Sequence, residues 1–150
     1  MILDQVIAAA SPKAVRRVWI VSDLQQRFPD RATHCMTRAA DDFVSLGLHC
    51  DAVCYLGDAV EGGNMEFLMD MSRMQQEQFA RVDAPVYYVL GNHDLFHHWR
   101  EPSFGRADLE CAFAAAGVRI LEDTAITLSC GVRIVGRKDY LYTNGSRFTA

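Results

Sequence analysis

No stretch of this chain is apolar for long enough to cross a bilayer, so a membrane span is excluded as its organising feature. The mildly apolar start, Met1 to Ala10, has no basic leader and carries Asp4, so neither a signal peptide nor a membrane anchor is expected. No basic run stands out and the formal net charge is −4, which gives no reason to expect general nucleic-acid binding. There is no Cys-x-x-Cys pair. The five cysteines (Cys35, Cys50, Cys54, Cys111 and Cys130) are odd in number and scattered, and read as reduced thiols of a cytoplasmic protein, mostly core filler. Repeats, low-complexity tracts and linkers are missing as well. The 150 residues are therefore read as one domain's worth of chain, with the half-hydrophobic composition of an ordinary globular protein.

What is present is an alternation of short apolar runs and helical stripes. Val15 to Val21 reads as a strand that stops at Ser22-Asp23-Leu24-Gln25. Pro29-Asp30 starts a helix, and Ala32, Cys35, Met36, Ala39, Phe43 and Val44 form its stripe before Gly47 ends it. Asp51 to Leu56 is a second strand, stopping in Gly57-Asp58-Ala59-Val60-Glu61-Gly62-Gly63. Asn64 can cap a second helix, whose face carries Phe67, Leu68, Met71, Met74, Gln78, Phe79 and Val82. Val86 to Leu90 is a third, uncharged strand entered through Pro85, and Gly91 lets the backbone turn sharply into Asn92-His93-Asp94. A helix around Asp108 to Ala116 ends at Gly117. Val118 to Leu121 is a fourth strand, and Ala125–Ser129 and Val132–Val135 flank a hairpin turn at Cys130-Gly131. The order predicts an α/β fold with a mainly parallel sheet flanked by helices.

Three strands end in acidic or amide groups. Asp58 follows Asp23, and Asn92 follows Asp58, at intervals of 35 and 34 residues (58 − 23 and 92 − 58), about one β-α unit each. If the strands are parallel neighbours, Asp23, Gln25, Asp58, Asn92, His93 and Asp94 meet at one sheet edge, where α/β proteins bind ligands. Carboxylates so close together need a positive charge between them, and oxygen donors of this type suit hard divalent cations.

Ser22-Asp23-Leu24-Gln25, Gly57-Asp58-Ala59-Val60-Glu61 and Gly91-Asn92-His93-Asp94 together resemble the first three motifs of the calcineurin-like metallophosphoesterases: Asp-x-His, Gly-Asp-x-x-Asp/Glu and Gly-Asn-His-Asp/Glu, each after a strand. The resemblance covers about Val18 to Val135. It implies the first half of that family's β-sandwich (αββα) fold, with the hairpin as the start of the second sheet. It implies hydrolysis of a phosphate mono- or diester, on a phosphorylated small-molecule or nucleotide-type substrate, by a hydroxide bound to two divalent metal ions (Mn²⁺, Fe²⁺, Zn²⁺ or Mg²⁺). By position, Asp23 and Gln25 would bind one metal, Asp58 would bridge both and Asn92 would bind the second. His93 would protonate the leaving group, and Asp94 would orient and charge-tune that imidazole. Gln25 stands where the family has His; its amide oxygen is a weaker, neutral ligand. The family's later histidines, including a Gly-His-x-His pair, have no counterpart after His98. The sequence is thus read as a partial domain, 1–150, with impaired activity and an apolar sheet face left uncovered, which invites self-association.

Each residue has a blander reading. Asp23, Asp58 and Asn92 are common turn residues, Gln25 is an unremarkable surface residue, and Glu61 shapes its loop. His97 and His98 read as loop surface or substrate-facing residues, and His34 and His49 as solvated. A non-catalytic protein-binding scaffold on the same fold is the competing function, but it has no use for His93. A flavodoxin-like or receiver-like domain would give no reason for Gly-Asn-His-Asp.

Overall fold

The structure, a computed structural model, describes residues 16–22, 24, 29–60, 65–95 and 104–138, without the side chains of residues 29–32 and 67. Strands β1 (Val18–Val21), β2 (Ala52–Tyr55), β3 (Val86–Tyr88) and β4 (Val118–Ile120) form one wholly parallel sheet in the order β1-β2-β3-β4. Between them run helices α1 (Pro29–Ser45), α2 (Met65–Ala80) and α3 (Arg106–Ala115). The register puts Val21, Tyr55, Tyr88 and Ile120 in one row across the sheet, so the segments after the strands open on the same side. Strands β5 (Thr124–Thr127) and β6 (Arg133–Gly136) pair antiparallel as a separate two-stranded sheet.

Strand alternation decides which residues make the core. Trp19, Val21, Val53, Tyr55, Val86, Tyr88 and Val118 point to the helical side and are buried there. Trp19 packs on Phe43 of α1 and Phe79 of α2, and Tyr88 packs edge-on against Phe113 of α3 at a ring separation of 4.6 Å. All three helices therefore cover one face, as crossovers of one hand advancing in one direction require. No helix among the described residues is long and apolar enough to cross a membrane.

The other face is apolar but poorly covered. Val18, Ile20, Cys54, Leu56, Tyr87 and Val89 belong to it, and the β5–β6 hairpin lays Ile134 and Val135 against part of it around a cavity of about 220 Å³. Ile20 remains 58% exposed and Leu56 54%.

The structure departs from the sequence expectations at several points. The α1 stripe is Met36, Ala40 and Phe43, whereas Cys35 and Val44 are exposed. Each sits one residue, about 100° of helix rotation, from a core position. Helix α2 ends before Val82, which lies in the following turn, and buries Gln75 completely. Among the cysteines only Cys50 is buried; Cys35 and Cys111 are exposed, and all five are free thiols. The hairpin connection is longer than a two-residue turn: the Leu128 N–H donates to the Val132 carbonyl, and Gly131 supplies the left-handed residue at φ 86°.

Candidate functional site

The segment after β2 leaves the sheet through two successive left-handed residues, Gly57 (φ 84°) and Asp58 (φ 56°). Aspartate tolerates that conformation better than most side chains. It turns the N–H groups of Asp58, Ala59 and Val60 the same way, like the anion-holding concavities that consecutive backbone amides form. The anion they meet is Asp94. Its Oδ2 accepts from Asp58 N–H (3.1 Å) and Gly91 N–H (2.7 Å). Its Oδ1 accepts from Ala59 N–H (3.0 Å), Val60 N–H (3.4 Å) and the Tyr88 hydroxyl (2.6 Å). In return, Asp58 Oδ1 accepts the backbone N–H of His93 at 2.8 Å.

The two loops also touch backbone to backbone. A Cβ on Gly57 would lie 2.6 Å from the Gly91 nitrogen, and a Cβ on Gly91 would lie 2.7 Å from the Asp58 nitrogen. Gly91 is therefore required for close approach. It does not adopt a positive φ, so the sharp turn expected of it is not its reason for being glycine.

Asp94 is fully buried, and burial pushes its carboxyl up to about 6 against the pull of Tyr88, Gly91 and Asp58. Asp94 is expected from sequence to orient the His93 imidazole; what the structure gives for its carboxylate is a hold on the neighbouring loop. Its carboxylate faces the loop after β2, and among the described residues its donors are backbone N–H groups and the Tyr88 phenol. Nothing in the sequence sets Tyr88 apart from its neighbour Tyr87. A tyrosine on the buried face of a strand must find a hydroxyl partner, but its register was not known from sequence.

Asp58, Asn92 and His93 lie together at the carboxyl ends of β2 and β3, all half-buried. Asp58 Oδ2 and the Asn92 amide bond to none of the described residues. Asp23, Gln25, Glu61, Asn64, His97 and His98 lie outside the described residues. Among the described residues no group of three His, Cys, Asp or Glu side chains could hold a metal ion. The chemistry on hand, one carboxylate oxygen (Asp58 Oδ2) and one amide oxygen (Asn92) not bonded by any described residue, fits part of a hard-cation site. His34 is exposed on α1, and His49 is exposed beside Asp51 at the opposite end of β2.

A family model for calcineurin-like phosphoesterases matches residues 16–146. The chain belongs to that family. A search of the curated proteins found no match. Membership of the calcineurin-like phosphoesterases makes this a phosphoesterase domain of a kind that generally works with divalent metals. The interlocked loops after β2 and β3 are where this member presents Asp58, Asn92 and His93.

Proposed function

We propose that this chain is a metal-dependent phosphoester hydrolase acting on a phosphate mono- or diester of a small molecule or nucleotide-type compound. The observation that carries the reading is the lock between the two loops. It sets Asp58, Asn92 and His93 side by side at the ends of adjacent parallel strands, in a chain whose family is phosphoesterase. Asp58 would be shared by two divalent cations, Asn92 would hold one of them, and Asp23 with Gln25, from the segment after β1, would hold the other. Mn²⁺, Mg²⁺, Fe²⁺ or Zn²⁺ at such a centre neutralises phosphate charge and lowers the pKa of water. His93 donates a proton to the leaving oxygen. Free thiols at all five cysteines support a cytoplasmic setting.

Elemental analysis and turnover of nitrophenyl phosphate mono- and diesters with Mn²⁺ test this. The expected result is bound metal, turnover that needs it, and a His93→Ala variant that keeps metal and loses turnover. Turnover surviving in His93→Ala overturns the acid assignment. Protein without metal affinity leaves the scaffold reading in its place.

One further observation supports a proposal on partners. Exposed Ile20, Leu56 and Val135 lie on the open sheet face and hairpin, and we propose that this surface is covered by self-association.

A further inference from the structure

We propose that Tyr88 is a positioning residue that sets the cation affinity of the site by fixing the Asp58 loop to the sheet. This rests on the metal-centre reading above. The Asp58 carboxylate hangs from a loop of irregular, left-handed backbone, so something must hold its aim. Most of the bonds that do so run from loop to loop: three N–H groups of residues 58–60 reach Asp94, and His93 reaches back to Asp58. Such bonds keep the loops together but do not tie them to anything rigid.

Tyr88 supplies the tie. It belongs to β3, pairs in register with Tyr55 and Ile120, and is fully buried between the rings of Tyr55 (5.1 Å) and Phe113 (4.6 Å). Its hydroxyl cannot swing. That one oxygen serves both loops, donating to Asp94 Oδ1 at 2.6 Å and accepting from Ala59 N–H at 3.1 Å. Burial raises the phenol well above its ordinary range, and the Asp94 carboxylate raises it further, so the proton stays on Tyr88 and the direction of donation is fixed. Tyr55 is as deeply buried in the neighbouring strand, but its hydroxyl bonds to Met71 Sδ and to none of the described residues of either loop.

The comparison of these two tyrosines is the test. Tyr88→Phe removes one oxygen and keeps the ring, and Tyr55→Phe does the same without removing a hydrogen bond to either loop. Mn²⁺ binding by the full chain is measured by titration calorimetry and by the free-ion paramagnetic resonance signal. Tyr88→Phe is expected to weaken Mn²⁺ binding roughly 10- to 100-fold, the range found for groups that orient metal ligands. Tyr55→Phe is expected to leave it unchanged. In Tyr88→Phe, turnover should recover at high Mn²⁺ with an unaltered KM for the ester, because the defect lies in holding the cation. A general loss of packing would move melting temperature in both variants and Mn²⁺ affinity in neither.

Equal Mn²⁺ affinity in wild type and Tyr88→Phe overturns this inference alone. Wild-type protein that takes up no Mn²⁺ overturns the metal-centre reading and this inference with it. A third measurement needs no variant. The Ala59 amide should exchange slowly with solvent deuterium in metal-free wild type, and fast exchange there overturns the proposal even if Tyr88→Phe does not fold.

Discussion

A methyl group on Gly91 would lie 2.7 Å from the backbone nitrogen of Asp58, closer than any real Cβ comes to backbone. Neither partner can yield. Asp58 N–H is bonded to Asp94, and Gly91 N–H is bonded to the same carboxylate. Gly91→Ala is therefore expected to destabilise the chain by about 3 kcal/mol, in the range of forced overpacking, and to weaken Mn²⁺ uptake as the loops part. Gly105→Ala is the control. Gly105 precedes α3 in extended backbone, and its nearest neighbour to a new Cβ is Asp108 Oδ2 at 3.9 Å, so its effect should stay within about 1 kcal/mol. Urea unfolding of both variants reads the difference.

Asp94 gives the metal-free protein a pH dependence whose sign follows from its environment. Burial raises its carboxyl from 3.8 to about 6, so the folded chain holds this proton more tightly than the unfolded chain does. The stability linked to this group is fully present below about 3.8 and is lost as pH rises through about 6. The loss amounts to about 3 kcal/mol for a shift of this size. Asp94→Asn cannot ionise, and its amide group faces N–H donors in place of an acceptor. It is expected to be less stable at every pH, with the gap to wild type narrowing from pH 4 to pH 7. Chelator-treated protein unfolded in urea across that range gives the two curves, and parallel curves would refute the assignment.

Gln75 lies on the buried side of α2 with no exposed surface, and its amide atoms make no hydrogen bond of good geometry to the described residues. Burial, and then the Asp94 carboxylate, hold the nearby Tyr55 phenol well above its ordinary range against the pull of the Gln75 amide, and its hydroxyl reaches Met71 Sδ at 4.0 Å. A buried amide held this way loses hydration without full return. Gln75→Met keeps the length and removes the polar atoms. It is expected to raise stability by about 1 kcal/mol, seen as a higher urea midpoint with an unchanged slope.

The alternation of helix and strand could be read from the sequence because each apolar run is short and each helix carries a stripe. Every expected strand and helix on described residues is present, with ends shifted by a few residues. What the sequence hid were directions. The helical stripe of α1 admitted Cys35 and Val44 because they are apolar, but only the packed structure shows that Met36, Ala40 and Phe43 point inward. The bond that Asp94 accepts from Asp58, across 36 residues, could not be read from the sequence, where only its adjacency to His93 is visible. Tyr87 and Tyr88 look alike as letters; strand register sends one to the open face and the other to the loops. The grouping of Asp58, Asn92 and His93 was legible because parallel strands of equal unit length end on one side.

Exposed apolar residues differ in consequence according to whether they cluster. Val44 on α1 is 53% exposed, close to Ile20 at 58% and Leu56 at 54%, yet α1 covers the opposite side of the sheet from the open face. Ile20 and Leu56 share that open face with Val18, Tyr87 and Val89, so their apolar area is contiguous. Scattered single hydrophobes are ordinary on protein surfaces, whereas a contiguous patch drives association. The double variant Ile20→Thr, Leu56→Thr keeps β-propensity at Ile20 and is expected to change folding stability by no more than about 1 kcal/mol. Its mass by light scattering across a concentration series should fall toward that of one chain. Val44→Thr should leave the wild-type distribution unchanged. If all three proteins share one distribution, the open face is not what brings copies together, because the sole difference among them is where the removed apolar surface lies.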